Sequence, residues 1–122
     1  MFIVNTTNYS ISMSKGDTGT IQINTVTEYT FAAEDRAVFT VKNSSGEIVK
    51  EVISELTENG GTFTVSFLND DTDHLATGAY SWDVRYVLHP YYDSAGKIVN
   101  GDQVITPMLP MTLNLLNVVG EV

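Results

Sequence analysis

The chain alternates apolar and polar residues with a period of two in one segment after another, and nowhere sustains a period of 3.6. Successive side chains of a strand point to opposite faces, so such runs describe sheets with one buried face and leave no place for a long amphipathic helix. Tyr9, Ile11 and Met13 alternate with Ser10 and Ser12, Ser14-Lys15-Gly16-Asp17 turns the chain, and Ile21 and Ile23 then alternate with Gln22 and Asn24. Ala37, Phe39 and Val41 form the next inward set. Asn43-Ser44-Ser45-Gly46 closes it as a hairpin, because Asn and Ser bond to their own backbone and Gly tolerates positive φ. Residues 48–53 are β-branched without a clean phase, since Val49 and Ile53 compete with Ile48 and Val52 for the core side. They are expected to form an edge strand of unsettled register.

After a turn at Glu58-Asn59-Gly60-Gly61, Phe63, Val65 and Phe67 alternate without error against Thr62, Thr64 and Ser66. Tyr80, Trp82, Val84, Tyr86 and Leu88 make the longest and most aromatic run, expected at the sheet centre. Asp93-Ser94-Ala95-Gly96 turns the chain again, and Met111, Leu113 and Leu115 supply the last set. Pro107 and Pro110 lack an amide hydrogen, so the segment before Met111 belongs at an edge or in a loop.

Between the Phe63–Phe67 run and the aromatic run, Asn69 or Asp70 is placed to cap one helical turn running to Leu75, with Gly78 just past its end. Gly78-Ala79-Tyr80 then opens the aromatic strand. In immunoglobulin-like sandwiches a tyrosine at this corner bonds back to the backbone, two residues before the second cysteine of antibody domains. Here that position is Trp82, whose indole is expected to fill the space between the sheets. The fold class is therefore all-β: an immunoglobulin-like two-sheet antiparallel β-sandwich of about seven strands without a disulfide, a single domain over residues 1–122.

Composition narrows the function. Fifteen acidic against six basic residues give a formal charge of −9 and a pI near 4.3, which opposes binding to nucleic acid or to an anionic membrane surface. No cysteine is present, so disulfides, thiolate chemistry and Cys-based metal sites are excluded. The N-terminus has neither a basic n-region nor an apolar stretch, so no secretory signal is expected and synthesis is placed in the cytosol. No apolar run approaches the ~20 residues of a membrane helix.

Candidate chemistry is sparse. His74 and His89 have no nucleophile at a recognisable spacing, and solvated loop positions are the expectation for both. Asn69-Asp70-Asp71-Thr72-Asp73 has the outline of a calcium loop, but His74 stands where Gly is required and Tyr80 where Glu is required, which favours the helix cap. Lys15-Gly16-Asp17 has the form of an integrin-binding tripeptide; a turn is the simpler reading. No cofactor and no catalytic residue is assigned. Trp82 and Tyr86 share the buried phase, leaving Tyr91 and Tyr92 as the aromatic residues free for a ligand or partner. Met108-Leu109-Pro110-Met111 is an apolar cluster in a segment denied a central strand, and an interface of Met108, Leu109 and Met111, with Tyr91 and Tyr92 nearby, is the expected use of it.

The runs Ile11-Ser12-Met13-Ser14-Lys15-Gly16-Asp17-Thr18-Gly19, Val38-Phe39-Thr40-Val41-Lys42 and Gly78-Ala79-Tyr80-Ser81-Trp82-Asp83-Val84 carry a resemblance. Together with Leu75-Ala76-Thr77-Gly78-Ala79-Tyr80 and Thr106-Pro107, in order and spacing, they resemble the N-terminal domains of upper baseplate proteins from tailed phages of Gram-positive bacteria. Lys15 departs from the arginine more usual there. The resemblance implies a non-enzymatic structural protein of a phage or prophage tail, located in the virion. Its partners would be other tail and baseplate subunits, including further copies of itself, docked through edge strands and apolar patches. The alternatives are a carbohydrate-binding module using Tyr91 and Tyr92, and an immunoglobulin-like spacer of a bacterial surface protein.

Overall fold

Each of the seven segments expected to be extended is a strand, and two further strands join them. The computed structural model describes residues 1–24, 30–56 and 62–117, so the expected turn at Glu58-Asn59-Gly60-Gly61 lies outside the described residues. In chain order the elements are β1 (Phe2–Val4), β2 (Ile11–Ser14), β3 (Gly19–Asn24), β4 (Arg36–Lys42), β5 (Ile48–Glu55), β6 (Thr62–Phe67), α1 (Asn69–Thr72), β7 (Gly78–Tyr92), β8 (Ile98–Ile105) and β9 (Met111–Leu116). Tyr9, counted with Ile11 and Met13 by phase, lies outside β2 with φ of 58° and is exposed.

One sheet has the order β1-β2-β9-β7-β4-β5, with β8 also pairing with β7; β3 and β6 form the second sheet. The length of β7 lets it hold three partners. One edge pairs with β4, and the other pairs first with β9, from Gly78 opposite Leu115 to Trp82 opposite Met111, and then with β8, from Tyr86 opposite Ile105 onward. The sandwich is antiparallel except where β2 runs parallel to β9, with Ile11 opposite Leu113 and Met13 opposite Leu115. In immunoglobulin terms β3 and β6 stand for strands B and E, and β4, β7 and β9 for C, F and G.

The core lies between the two sheets. Phe39, Val84, Trp82 and Tyr86 from the large sheet meet Ile21, Ile23, Phe63, Val65 and Phe67 from the small one. Phe39 packs with Trp82 at 5.4 Å between ring centroids and meets Phe67 edge-on at 6.0 Å, the tilted arrangements that ring quadrupoles favour. Phe31, from the loop before β4, covers Tyr86 at 4.9 Å, and burial pushes the Tyr86 hydroxyl up to about 12.

The unsettled phase of β5 has a physical cause. Val41 faces Lys50 while Lys42 faces Ile48, so Val49 is an extra residue in a bulge. The bulge lets both Val49 and Val52 pack against the core and leaves Ile48 and Ile53 exposed.

The helical turn is shorter than expected and differently capped. It ends at Thr72, and the cap position is Leu68, whose amide donates to Asp71 Oδ2 at 2.7 Å. Asn69 is engaged elsewhere: its Nδ2 donates to the Gly16 carbonyl at 2.9 Å, and the Gly16 amide donates to Thr72 Oγ1 at 2.9 Å. Gly16 has φ of +80°, and a Cβ there would lie 2.9 Å from Asn69 Nδ2. The Lys15-Gly16-Asp17 turn is thus a clasp between β2 and α1 that only glycine fits comfortably. Tyr80 makes the expected corner, its hydroxyl donating to the Ala76 carbonyl at 2.6 Å.

Candidate functional site

The end of the sandwich where β7 hands over from β9 to β8 is open. Between Trp82 and Tyr86 the edge of β7 changes partner, and residues 106–110 cross this gap. Pro107 and Pro110 cannot donate to a ladder, which keeps the crossing segment out of the sheet. A cleft of about 480 Å³ results, walled by Ile11, Ile21, Ile23, Trp82, Met108 and Met111. Its remaining walls include Val4, Tyr9, Gln22 and Asn24, and among the described residues no carboxylate or basic group lines it. Trp82 is 5% exposed, and its Nε1 is a buried donor that has no acceptor among the described residues.

The five residues singled out in the sequence therefore divide into three groups. Met108 and Met111 are half-buried and pack against the core, Met111 as the first residue of β9 opposite Trp82. Leu109, between them, is 79% exposed at the edge of the same segment. Tyr91 and Tyr92 are exposed near the far end of the β7–β8 hairpin. They are not neighbours of Leu109: five residues separate Tyr86, opposite Ile105, from Tyr91, opposite Asn100, or roughly 17 Å of strand. Tyr91 and Tyr92 thus stand farther along the hairpin from the Met108–Met111 segment instead of beside it. The Tyr91 hydroxyl bonds to Asp102, and this bond holds its ionisation above the ordinary tyrosine value.

The other candidates are also placed. His74 is exposed beside Asp73, and His89 is exposed with its Nδ1 3.6 Å from Glu34. Among the described residues no group of three or more His, Asp or Glu is arranged to hold a metal ion. Asp71 serves the fold instead, its Oδ2 lying 2.8 Å from Lys50 Nζ, which also sits 5.0 Å above the Phe67 ring. Burial would raise the Asp71 carboxyl, but the Leu68 amide and the Lys50 ammonium outweigh it and hold the group below its ordinary value. No described helix is long and apolar enough to cross a membrane.

Two features escaped the pattern. Asp35 is buried at 5% exposure, accepting from the Ala32 amide at 2.7 Å and the His89 amide at 2.9 Å. It fixes His89 at φ of 48°, where β7 bends into the outer half of its hairpin. No periodic signal marks a lone loop carboxylate. The cleft was also hidden, because its walls come from β2, β3, β7 and residues 107–111, which only the fold brings together. Neither a protein-family model, nor a curated protein, nor a solved structure matches the chain.

Proposed function

We propose that the protein is a non-enzymatic assembly module of a phage or prophage tail baseplate, working in the virion by docking to neighbouring tail subunits. The observation that carries this is the open, largely apolar cleft beside Leu109. An apolar segment that leaves a large aliphatic side chain 79% exposed next to an open apolar cleft has the composition of an interface core. The resemblance of the Lys15-Gly16-Asp17-Thr18 turn and the Gly78-Ala79-Tyr80 corner to upper baseplate proteins supplies the tail as the setting. The net charge of −9 keeps the unassembled protein soluble.

Purification of tail particles from the source cell tests this. The chain is expected among their proteins, and Leu109→Asp, a peripheral change, is expected to leave the folded protein intact and absent from the particles. Tails that lack the wild-type chain, or that take up Leu109→Asp as readily as wild type, contradict the proposal.

A further inference from the structure

The outer face of the large sheet, away from the core and from the cleft, is the second unusual surface. Beyond His89 the β7–β8 hairpin lies close over this face: a Cβ on Gly101 would come within 2.5 Å of Val87 Cγ1 and 2.8 Å of the Leu88 carbonyl. Val87, although on the outward phase, is only 5% exposed. The covered edge and β5 form the walls of a groove of about 450 Å³ across β5, β4, β7 and β8. Ile48, Ile53, Val99 and Val104 line it and are exposed.

Its charges are the telling feature. Lys42, Glu51, Asp83 and Arg85 all line the groove, and none of them makes an ion pair or side-chain hydrogen bond among the described residues. They cancel, so the remainder of the chain carries the whole −9. Register sets them in rows: Glu51 and Asp83 flank Thr40, while Arg85 stands beside Val38 one outward step along and Lys42 stands one step the other way. An acidic row between two basic positions is complementary to itself. A two-fold axis passing between the acidic row and Arg85 lays each copy's Arg85 on the other's Asp83, with the exposed isoleucines and valines around them. An axis at the acidic row itself or at either basic position brings like charges together, and of the two complementary positions the one beside Arg85 gains the forked guanidinium–carboxylate geometry that Lys42 lacks.

We infer that this face is the contact between two copies of the chain, an isologous pair held by reciprocal Arg85–Asp83 ion pairs within an apolar surround. The inference deepens the assembly role by naming the chain's first partner, and it uses a surface separate from Leu109. Complementary charge changes test it by sedimentation. Wild type is expected to dimerise; Arg85→Asp and Asp83→Arg are each expected to weaken the dimer by roughly tenfold or more, since each sets like charges opposite one another. Mixing the two variants is expected to restore a dimer, because their charges are again opposite. Leu109→Asp is expected to dimerise like wild type, so loss of tail incorporation and loss of the dimer are separable failures. Circular dichroism reports whether each variant is folded. Should one not fold, a spin label on Val99→Cys in the otherwise cysteine-free chain is expected to show coupling between copies. A monomeric wild type up to the millimolar range, a mixture no tighter than the separate variants, or a spin label without intermolecular coupling overturns the inference.

Discussion

The two faces of the large sheet are made by the same strands. On its inner face β4 and β7 present Ala37, Phe39, Val41, Tyr80, Trp82, Val84 and Tyr86, all buried. On its outer face they present Val38, Thr40, Lys42, Asp83 and Arg85, side chains of both signs beside apolar ones, with the charges unpaired among the described residues. Burial of apolar area is what holds a sheet to its partner layer, and unpaired charges in a groove add nothing to that. The inner face therefore carries folding, and the outer face is the one we propose for docking.

Substitutions on the two faces, ordered by effect, break or sharpen this division. Trp82→Ala removes a core aromatic and is expected to cost about 3–5 kcal/mol, a large part of the stability of a domain this size, measured by denaturant unfolding. Trp82→Phe should cost clearly less, because the Nε1 donor has no acceptor to lose among the described residues. Between the layers, Asp71→Asn leaves the nearly buried Lys50 ammonium without its partner and is expected to cost about 1–3 kcal/mol at neutral pH. The Asp71 carboxyl is held below its ordinary 3.8, so its contribution is full above that pH and is lost as pH falls through the folded value. Melting temperatures of wild type and Asp71→Asn should accordingly converge in acid.

Smaller effects follow at the clasp and the corner. Gly16→Ala places a side chain at positive φ against Asn69 and is expected to destabilise by about 1–2 kcal/mol. Tyr80→Phe leaves the Ala76 carbonyl without its donor and should cost about 1 kcal/mol. Arg85→Asp, on the outer face, is expected to change the stability of the isolated domain by less than about 0.5 kcal/mol. A cost comparable to that of Trp82→Ala would mean the outer face is part of the fold.

What could be read in the sequence follows the same division. Inner-face phases were legible because burial imposes strict alternation, and the Tyr80 corner because its hydroxyl needs a fixed distance to the backbone. β8 was missed because Asn100, Gly101 and Asp102 interrupt its apolar ends, and among the described strands it pairs with β7 alone. β1 is three residues long and offers no period to read. The phase conflict in β5 was visible, but its resolution by a bulge at Val49 depends on how β4 is paired. The exposed position of Leu109 was expected from the prolines around it. The separation of Tyr91 and Tyr92 from it, and the charge rows of the outer face, are properties of strand register and were not accessible before the pairing was known.

Melting temperature as a function of protein concentration, for wild type and Arg85→Asp side by side, tests the division most directly. A partner that binds only the folded chain raises the melting temperature as its concentration rises. The two proteins should melt together when dilute, and only wild type should gain stability as concentration increases. A wild-type melting temperature independent of concentration, or an Arg85→Asp variant that melts several degrees lower at every dilution, would contradict it.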